Sequence, residues 1–202
     1  VVPQGSVLGP LIFILYVNDM PNYIKDGKVT MYADDTTILI TAQTLNELTI
    51  KAKNTAFQFT NWCYRNKLIV NLNKTVCLHF HFKANDDKLK FECNTLPVLA
   101  CDQTTFLGVV ADNLLNWSDQ LNFVIKKLNS TCFAIIRLRY SLDTLTLLSV
   151  YYSLGYCYLN YAICLWGYAA NVNRVLIAQK RIIRAIFNLN SNASCRPYFT
   201  HY

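Results

Sequence analysis

Asp34 and Asp35 stand side by side between two short runs of β-branched, aromatic and apolar residues, Val29-Thr30-Met31-Tyr32 and Thr36-Thr37-Ile38-Leu39-Ile40. The runs read as two strands and the acids as the tip of a hairpin. A tight connection normally takes Asn-Gly or Asp-Gly, because residues that tolerate positive φ are cheap there. Asp-Asp supplies no glycine and adds like-charge repulsion, and a hairpin that accepts such a cost usually has a use for it. Paired carboxylates suit hard divalent cations, and Mg²⁺ in particular sits on one or two acids plus substrate phosphates. Two such ions about 3.5–4 Å apart can stabilise both the attacking and the leaving oxygen of a phosphoryl transfer. Taken alone, the tetrapeptide Tyr32-Ala33-Asp34-Asp35 reads more readily as a solvated turn, since aspartate is common in turns.

The preceding segment supplies context. The chain opens Val1-Val2-Pro3-Gln4-Gly5-Ser6-Val7-Leu8-Gly9-Pro10 and continues Leu11-Ile12-Phe13-Ile14-Leu15-Tyr16-Val17-Asn18-Asp19-Met20. Pro3, Gly5, Gly9 and Pro10 punctuate a loop, and a proline in a first helical turn is tolerated because its missing N–H would be unpaired anyway. The run after Pro10 is apolar all round, which predicts a buried helix. A Gly/Ser loop entering such a helix exposes backbone N–H groups suited to close approach by a nucleotide or a nucleic-acid backbone. By itself it reads more readily as a loop that merely caps a core helix.

Loop, helix and acidic hairpin together resemble the palm of a reverse transcriptase. Pro3-Gln4-Gly5-Ser6-Val7-Leu8-Gly9-Pro10 followed by Asn18-Asp19 is similar to the template- and nucleotide-contacting loop of reverse transcriptases from non-LTR (LINE-like) retrotransposons. Tyr32-Ala33-Asp34-Asp35 resembles their metal-binding box. Trp62 and then Asn66-Lys67-Leu68-Ile69-Val70-Asn71-Leu72-Asn73-Lys74-Thr75 look like the next palm motif, with Lys74 at its lysine. Phe106-Leu107-Gly108-Val109 resembles the primer-grip hairpin. Leu159-Asn160-Tyr161, Leu165-Trp166-Gly167 and Gln179-Lys180-Arg181-Ile182-Ile183-Arg184 are similar to the thumb and post-thumb region.

The resemblance implies RNA-templated nucleotidyl transfer, with an RNA template, a DNA primer and deoxynucleoside triphosphates as partners. It implies two Mg²⁺ ions, or Mn²⁺ in their place, held by Asp34 and Asp35. Gln4, Gly5, Ser6 and Tyr32 would shape the nucleotide and template pocket. Lys74 would neutralise or protonate the leaving pyrophosphate, and Phe106, Leu107 and Gly108 would position the primer end. The family carries a third catalytic acid and the fingers upstream of the loop motif, and it usually has glycine at the position of Val1. The expectation is therefore a fragment, inactive alone, whose fallback role is that of a non-catalytic nucleic-acid-binding remnant.

Charge divides the chain. Residues 1–112 hold ten Lys/Arg and ten Asp/Glu, whereas residues 113–202 hold nine Lys/Arg against Asp119 and Asp143, so the whole net charge of +7 falls in the second part. Lys126, Lys127, Arg137 and Arg139 fall on one predicted helix and Lys180, Arg181 and Arg184 on another, the arrangement expected for gripping a polyanionic duplex. Tyr140, Tyr151 and Tyr152 lie nearby, but at helical spacing they read as core aromatics. Thr44-Leu45-Asn46-Glu47 resembles a capping box. Leu45, Leu48, Ala52, Ala56, Phe59 and Cys63 then recur with helical period.

Short strands are expected at 68–70, 75–82, 90–93 and 105–110, a turn at Asn85-Asp86-Asp87, and helices near 118–140, 143–168 and 171–188. The expected fold is α+β: a partial palm over residues 1–113, an antiparallel sheet with packed helices, and then a basic all-α thumb over residues 114–202. The 53% apolar content is enough to bury a core. Eight cysteines without C-x₂-C spacing, and His79, His81 and His201, complete no zinc pattern. Reduced thiols in an intracellular protein are expected. Residues 144–173 carry no charge, long enough for a membrane span by length alone. Tyrosines spread throughout them rather than at two interfaces argue against stable membrane association.

Overall fold

A computed structural model of the chain describes residues 5–71, 73–81, 89–93 and 96–201. Val1–Gln4, Leu72, Phe82 and the Asn85-Asp86-Asp87 turn lie outside the described residues, and so does the expected role of Gln4. The chain divides into two compact units, residues 1–102 and 103–202.

In the first unit, helix α1 (Leu8–Val17) leads through a short turn of helix, α2 (Met20–Tyr23), to an antiparallel hairpin of β1 (Lys28–Tyr32) and β2 (Asp35–Leu39). Helix α3 (Leu45–Arg65) comes next, and its start is as the sequence foretells. The Glu47 N–H donates to Thr44 Oγ1 at 3.2 Å, while the Gln43 N–H donates to Glu47 Oε2 at 3.1 Å. That bond and the Lys51 ammonium, 2.7 Å from Glu47 Oε1, hold the Glu47 carboxyl below its ordinary range, the lysine contact contributing most. Ala52, Thr55, Trp62 and Cys63 are buried along one stripe of α3. Trp62 and Cys63 pack with Val17, Met20 and Ile24, and the inner face of the hairpin, Val29, Met31 and Ile38, lies against this cluster.

The expected burial of the first helix is not what the structure shows. Only Val17 of α1 is buried, with Phe13 half-buried beside it. Leu8, Leu11, Ile12, Ile14, Leu15 and Tyr16 are all exposed. Val17 and Phe13 join the cluster around Trp62, and the remaining apolar side chains of α1 face away from it.

The sheet is also less regular than expected. Strands β3 (Cys77–Leu78), β4 (Lys90–Cys93) and β5 (Leu96–Cys101) form a small mixed sheet in the order β3-β5-β4, parallel at β3 and antiparallel at β4. No strand forms at 68–70. Strand β5 is absent from the sequence expectation, and it contains Pro97, a residue that ordinarily argues against a central strand. At Pro97 the strand is central in name only: β3 pairs with Ala100 and Cys101 alone, so the missing N–H removes no ladder bond on that side.

The second unit begins with a hairpin of β6 (Gln103–Phe106) and β7 (Val109–Asp112). Helix α4 (Ser118–Leu138) comes next, then α5 (Thr144–Tyr151), a π-helical turn (Tyr152–Tyr156), short α6 (Cys157–Asn160) and α7 (Ile163–Trp166), α8 (Asn173–Ile186) and α9 (Arg196–His201). The core joins Leu121, Val124, Leu128 and Ile135 of α4 to Val175, Ala178, Ile182, Ile183 and Ile186 of α8, with Leu147, Tyr151 and Trp166 closing it. Each large apolar side chain in it is worth roughly 1.5–3 kcal/mol, so this core dominates the unit's stability. The segment expected as one helix over 143–168 is broken at Tyr161 and Ala162, the latter at a φ of 53°. Among the described residues no helix is long and apolar enough to cross a membrane.

Candidate functional site

The acidic hairpin is built as its sequence suggests. Tyr32 pairs with Asp35, which leaves Ala33 and Asp34 as a two-residue turn. Ala33 takes the positive φ that the turn demands, 52°. For an alanine this left-handed conformation costs about 1–2 kcal/mol, so the tip is strained and is held by the packing of Val29, Met31 and Ile38 below it. Strand alternation then turns Thr30, Tyr32, Asp35 and Thr37 to the exposed face, and Asp34 is exposed at the tip. Neither carboxylate has a hydrogen-bond or ion-pair partner among the described residues. Two bare, adjacent oxygen donors on a rigid support fit a hard cation that takes its other ligands from substrate phosphates. Among the described residues no three His, Cys, Asp or Glu side chains gather to hold an ion.

The loop residues fall at the mouth of α1. Gly5 has a φ of 87° with open space around it, so the turn there requires glycine for its backbone and not for room. The Ser6 carbonyl accepts from the Gly9 N–H at 3.4 Å, which starts the helix. Lys74 sits exposed on a turn closed by its own N–H to the Asn71 carbonyl at 3.0 Å. Among the described residues no ion pair links it to Asp34 or Asp35.

In the second unit, Phe106 pairs with Val109 and leaves Leu107-Gly108 as the β6–β7 turn. Both turn residues have positive φ, 46° and 81°, the combination that a two-residue hairpin loop favours. Phe106 is 43% and Leu107 36% exposed, so the turn presents apolar surface to solvent. Two buried side chains that sequence reasoning missed lock this hairpin to α4. Gln120 Oε1 accepts from the Val110 N–H at 2.9 Å, and the Asp112 carboxylate accepts from the N–H groups of Leu114, Asn116 and Trp117 at 2.9–3.1 Å. An exposed side chain, Tyr161, also holds the hairpin, donating its hydroxyl to the Leu107 carbonyl.

The seven cations named from sequence are not equivalent. Lys126, Arg137 and Arg181 are exposed. Arg137 lies over the Phe133 ring, and Lys127 lies over both Phe123 and Tyr158, its ammonium 5.5 and 5.2 Å from the ring centres. Arg139 donates to Tyr140 Oη at 2.8 Å, and Arg184 donates from Nε and Nη2 to the Ala193 carbonyl at 3.2 and 3.1 Å. Arg184 is thus engaged in holding the segment after α8. Arg181 lies near the Cys132 thiol of α4, whose pKa burial raises while the guanidinium opposes the shift. Lys180 is half-buried on the same helix, and Arg174, an exposed cation absent from the sequence reading, stands near its start.

The family model described as reverse transcriptase (RNA-dependent DNA polymerase) matches residues 1–111. The chain is 29% identical to the probable RNA-directed DNA polymerase from transposon BS of Drosophila melanogaster, over 92% of this chain and 22% of that protein. It is 26% identical to the probable RNA-directed DNA polymerase from transposon X-element of the same species, over 92% of this chain and 21% of the relative. It is 27% identical to the RNA-directed DNA polymerase from mobile element jockey of Drosophila funebris, again over 92% and 21%. The chain therefore spans about a fifth of the length of the curated relatives it matches. No solved structure matches it.

Proposed function

We propose, from the premise that this chain belongs to the reverse transcriptase (RNA-dependent DNA polymerase) family, that it is a segment of an RNA-directed DNA polymerase of the non-LTR retrotransposon kind. The observation that carries the reading is the strained hairpin tip with two bare carboxylates, Asp34 and Asp35, in the part of the chain that the family model covers. The family generally uses divalent metal ions, and the two oxygen-donor side chains fit Mg²⁺ or Mn²⁺. Such ions, when bound, activate a primer 3′-hydroxyl and neutralise charge on the triphosphate.

The chain's own residues divide the work. Asp34 and Asp35 hold the metal ions. The Gly5-Ser6 loop offers backbone N–H groups to the nucleotide and template, with Tyr32 beside the acids on the hairpin's exposed face. Lys74 neutralises or protonates the departing pyrophosphate. Phe106, Leu107 and Gly108 receive the primer end. Lys126, Lys127, Arg137, Lys180 and Arg181 hold the phosphate backbone of an RNA template paired to a DNA primer. In this reading residues 1–113 act as palm and residues 114–202 as thumb. The β6–β7 hairpin falls in the compact unit of residues 103–202, with α4 to α9.

The test is a chimaera in which this chain replaces the matching segment of the transposon BS polymerase. Primer extension on an RNA template is measured with and without Asp34→Ala. Outer hydrogen-bond partners of a metal ligand are worth about 10–100-fold, so loss of a ligand itself is expected to exceed about a hundredfold. Residual extension within about tenfold of the unmutated chimaera overturns the assignment. The 202-residue chain alone, whose described residues bring no third acid to the pair, is expected to extend no primer. A second reading, nucleic-acid binding without catalysis, rests on the cationic helical unit and is tested by the salt dependence of that binding.

A further inference from the structure

We infer that Tyr161 is a positioning residue that clamps the Phe106-Leu107-Gly108 turn in the shape in which it meets a primer end. The inference rests on the reading of that turn as the primer grip. The turn needs a clamp. Leu107 holds a φ of 46° without being glycine, and neither Phe106 nor Leu107 is buried deeply enough for packing to fix it. A strained conformation persists only where its surroundings over-determine it.

Tyr161 supplies that determination from a point 54 residues further along the chain. Its hydroxyl donates to the Leu107 carbonyl at 2.5 Å. Its ring covers Gly108, with Cε1 3.6 Å from where a Cβ would stand, an ordinary packing distance. One side chain therefore touches both residues of the turn.

The tyrosine is itself held by its backbone. Its N–H donates to the Cys157 carbonyl at 3.1 Å, at the end of α6. Its carbonyl accepts from Trp166 Nε1, also at 3.1 Å. Trp166 is 1% exposed and belongs to the helical core. A continuous path thus runs from the buried indole through the Tyr161 backbone to its hydroxyl and on to the turn. Tyr161 is 51% exposed, so its phenol contributes little burial to the fold. Its place at the solvent edge suits holding a surface that a ligand must reach. A group aimed at a reacting terminus gains from being fixed before the ligand arrives.

The test is Tyr161→Phe in the 202-residue chain. The ring and its contact with Gly108 stay, and only the hydroxyl leaves an exposed site, so the variant folds, with a thermal midpoint lowered by only about 2–4 °C. Amide exchange at Gly108 and Val109 is expected to rise about fivefold, the factor that one neutral hydrogen bond is worth. The second measurement uses a DNA primer annealed to an RNA template, with 2-aminopurine at the primer's 3′ terminus or at an internal position. Tyr161→Phe is expected to weaken the response of the terminal probe about fivefold and to leave the internal probe unmoved. A merely structural tyrosine would shift both probes or neither.

Phe106→Ala, which alters the grip directly, serves as the reference. Unchanged exchange at Gly108 and Val109 in Tyr161→Phe overturns the clamp. Faster exchange with a terminal probe that responds to Phe106→Ala but not to Tyr161→Phe overturns its service to the primer. If neither variant moves the terminal probe, the primer-grip reading of the turn falls and the positioning role falls with it. The exchange result then still decides whether the clamp exists.

Discussion

Asp112 shows how one carboxylate can organise the passage from strand to helix. It is 7% exposed and takes three backbone N–H groups, from Leu114, Asn116 and Trp117. The loop it closes has Leu115 and Trp117 at positive φ, and α4 has no side-chain cap of its own at Trp117. Asp112→Ala leaves those donors without their acceptor and is expected to cost about 2 kcal/mol in urea unfolding. Asp112→Asn keeps Oδ1 and should cost about half as much; equal losses would show that the two bonds to Oδ1, from Leu114 and Asn116, contribute nothing. The sequence carries a signal for this, since Asp and Asn bond their own backbone a few residues on and Asp112-Asn113 opens the segment. A simultaneous change of periodicity masks it. Asp34 and Asp35 are legible for the opposite reason: an acidic pair between two β-rich runs departs from ordinary turn chemistry, and such departures are where function concentrates. The conformation of Ala33 is not legible, because it comes from strand register and not from residue type.

Among the elements, those whose local signals agree are the easiest to read. Helix α3 has a cap, a period and no interruption, and it runs Leu45–Arg65 in the structure. The charge-free stretch from Thr144 to Asn173 has no such contrast, and its breaks come from tertiary fit. Within it the π turn brings Gly155 against α4, where a Cβ would lie 3.2 Å from Thr131 Cγ2 and 3.4 Å from Tyr151 Cδ2. Thr131 is 3% exposed, and its hydroxyl donates to the Leu154 carbonyl at 3.0 Å and the Lys127 carbonyl at 3.1 Å. A β-branched side chain pinned twice has no free rotamer to give way. Gly155→Ala is therefore expected to destabilise the chain by about 1–3 kcal/mol, seen as a lowered thermal midpoint. An unchanged midpoint would mean that the π turn can slide away from α4 at no cost. Helix α1 marks the limit of pattern reading: its uniform apolarity says that it prefers cover, and only the neighbours present decide whether it gets any.

For the whole molecule, the uneven charge is the most legible property, and the use of each cation the least. Residues 103–202 hold nine Lys/Arg against Asp112, Asp119 and Asp143, a net of +6. Counting charges cannot tell Arg181, exposed on α8, from Arg184, whose guanidinium is bound to the Ala193 carbonyl. The two should separate in titrations of the chain with a short duplex over a range of salt. Arg181→Ala is expected to flatten the dependence of log K on log salt by about 0.9, one phosphate contact fewer. Arg184→Ala should leave that slope alone and lower folding stability by about 2 kcal/mol. A loss of slope in Arg184→Ala as large as in Arg181→Ala would assign both to the backbone and overturn the distinction. The π turn at Tyr152–Tyr156 also bears on how the chain accommodates length. A π turn is a helix with one letter too many. The wider turn swallows that letter, so the residues on either side keep the facings of an ordinary helix. Gly155 lies against α4 while Tyr151 before it and Leu159 beyond it still reach one core.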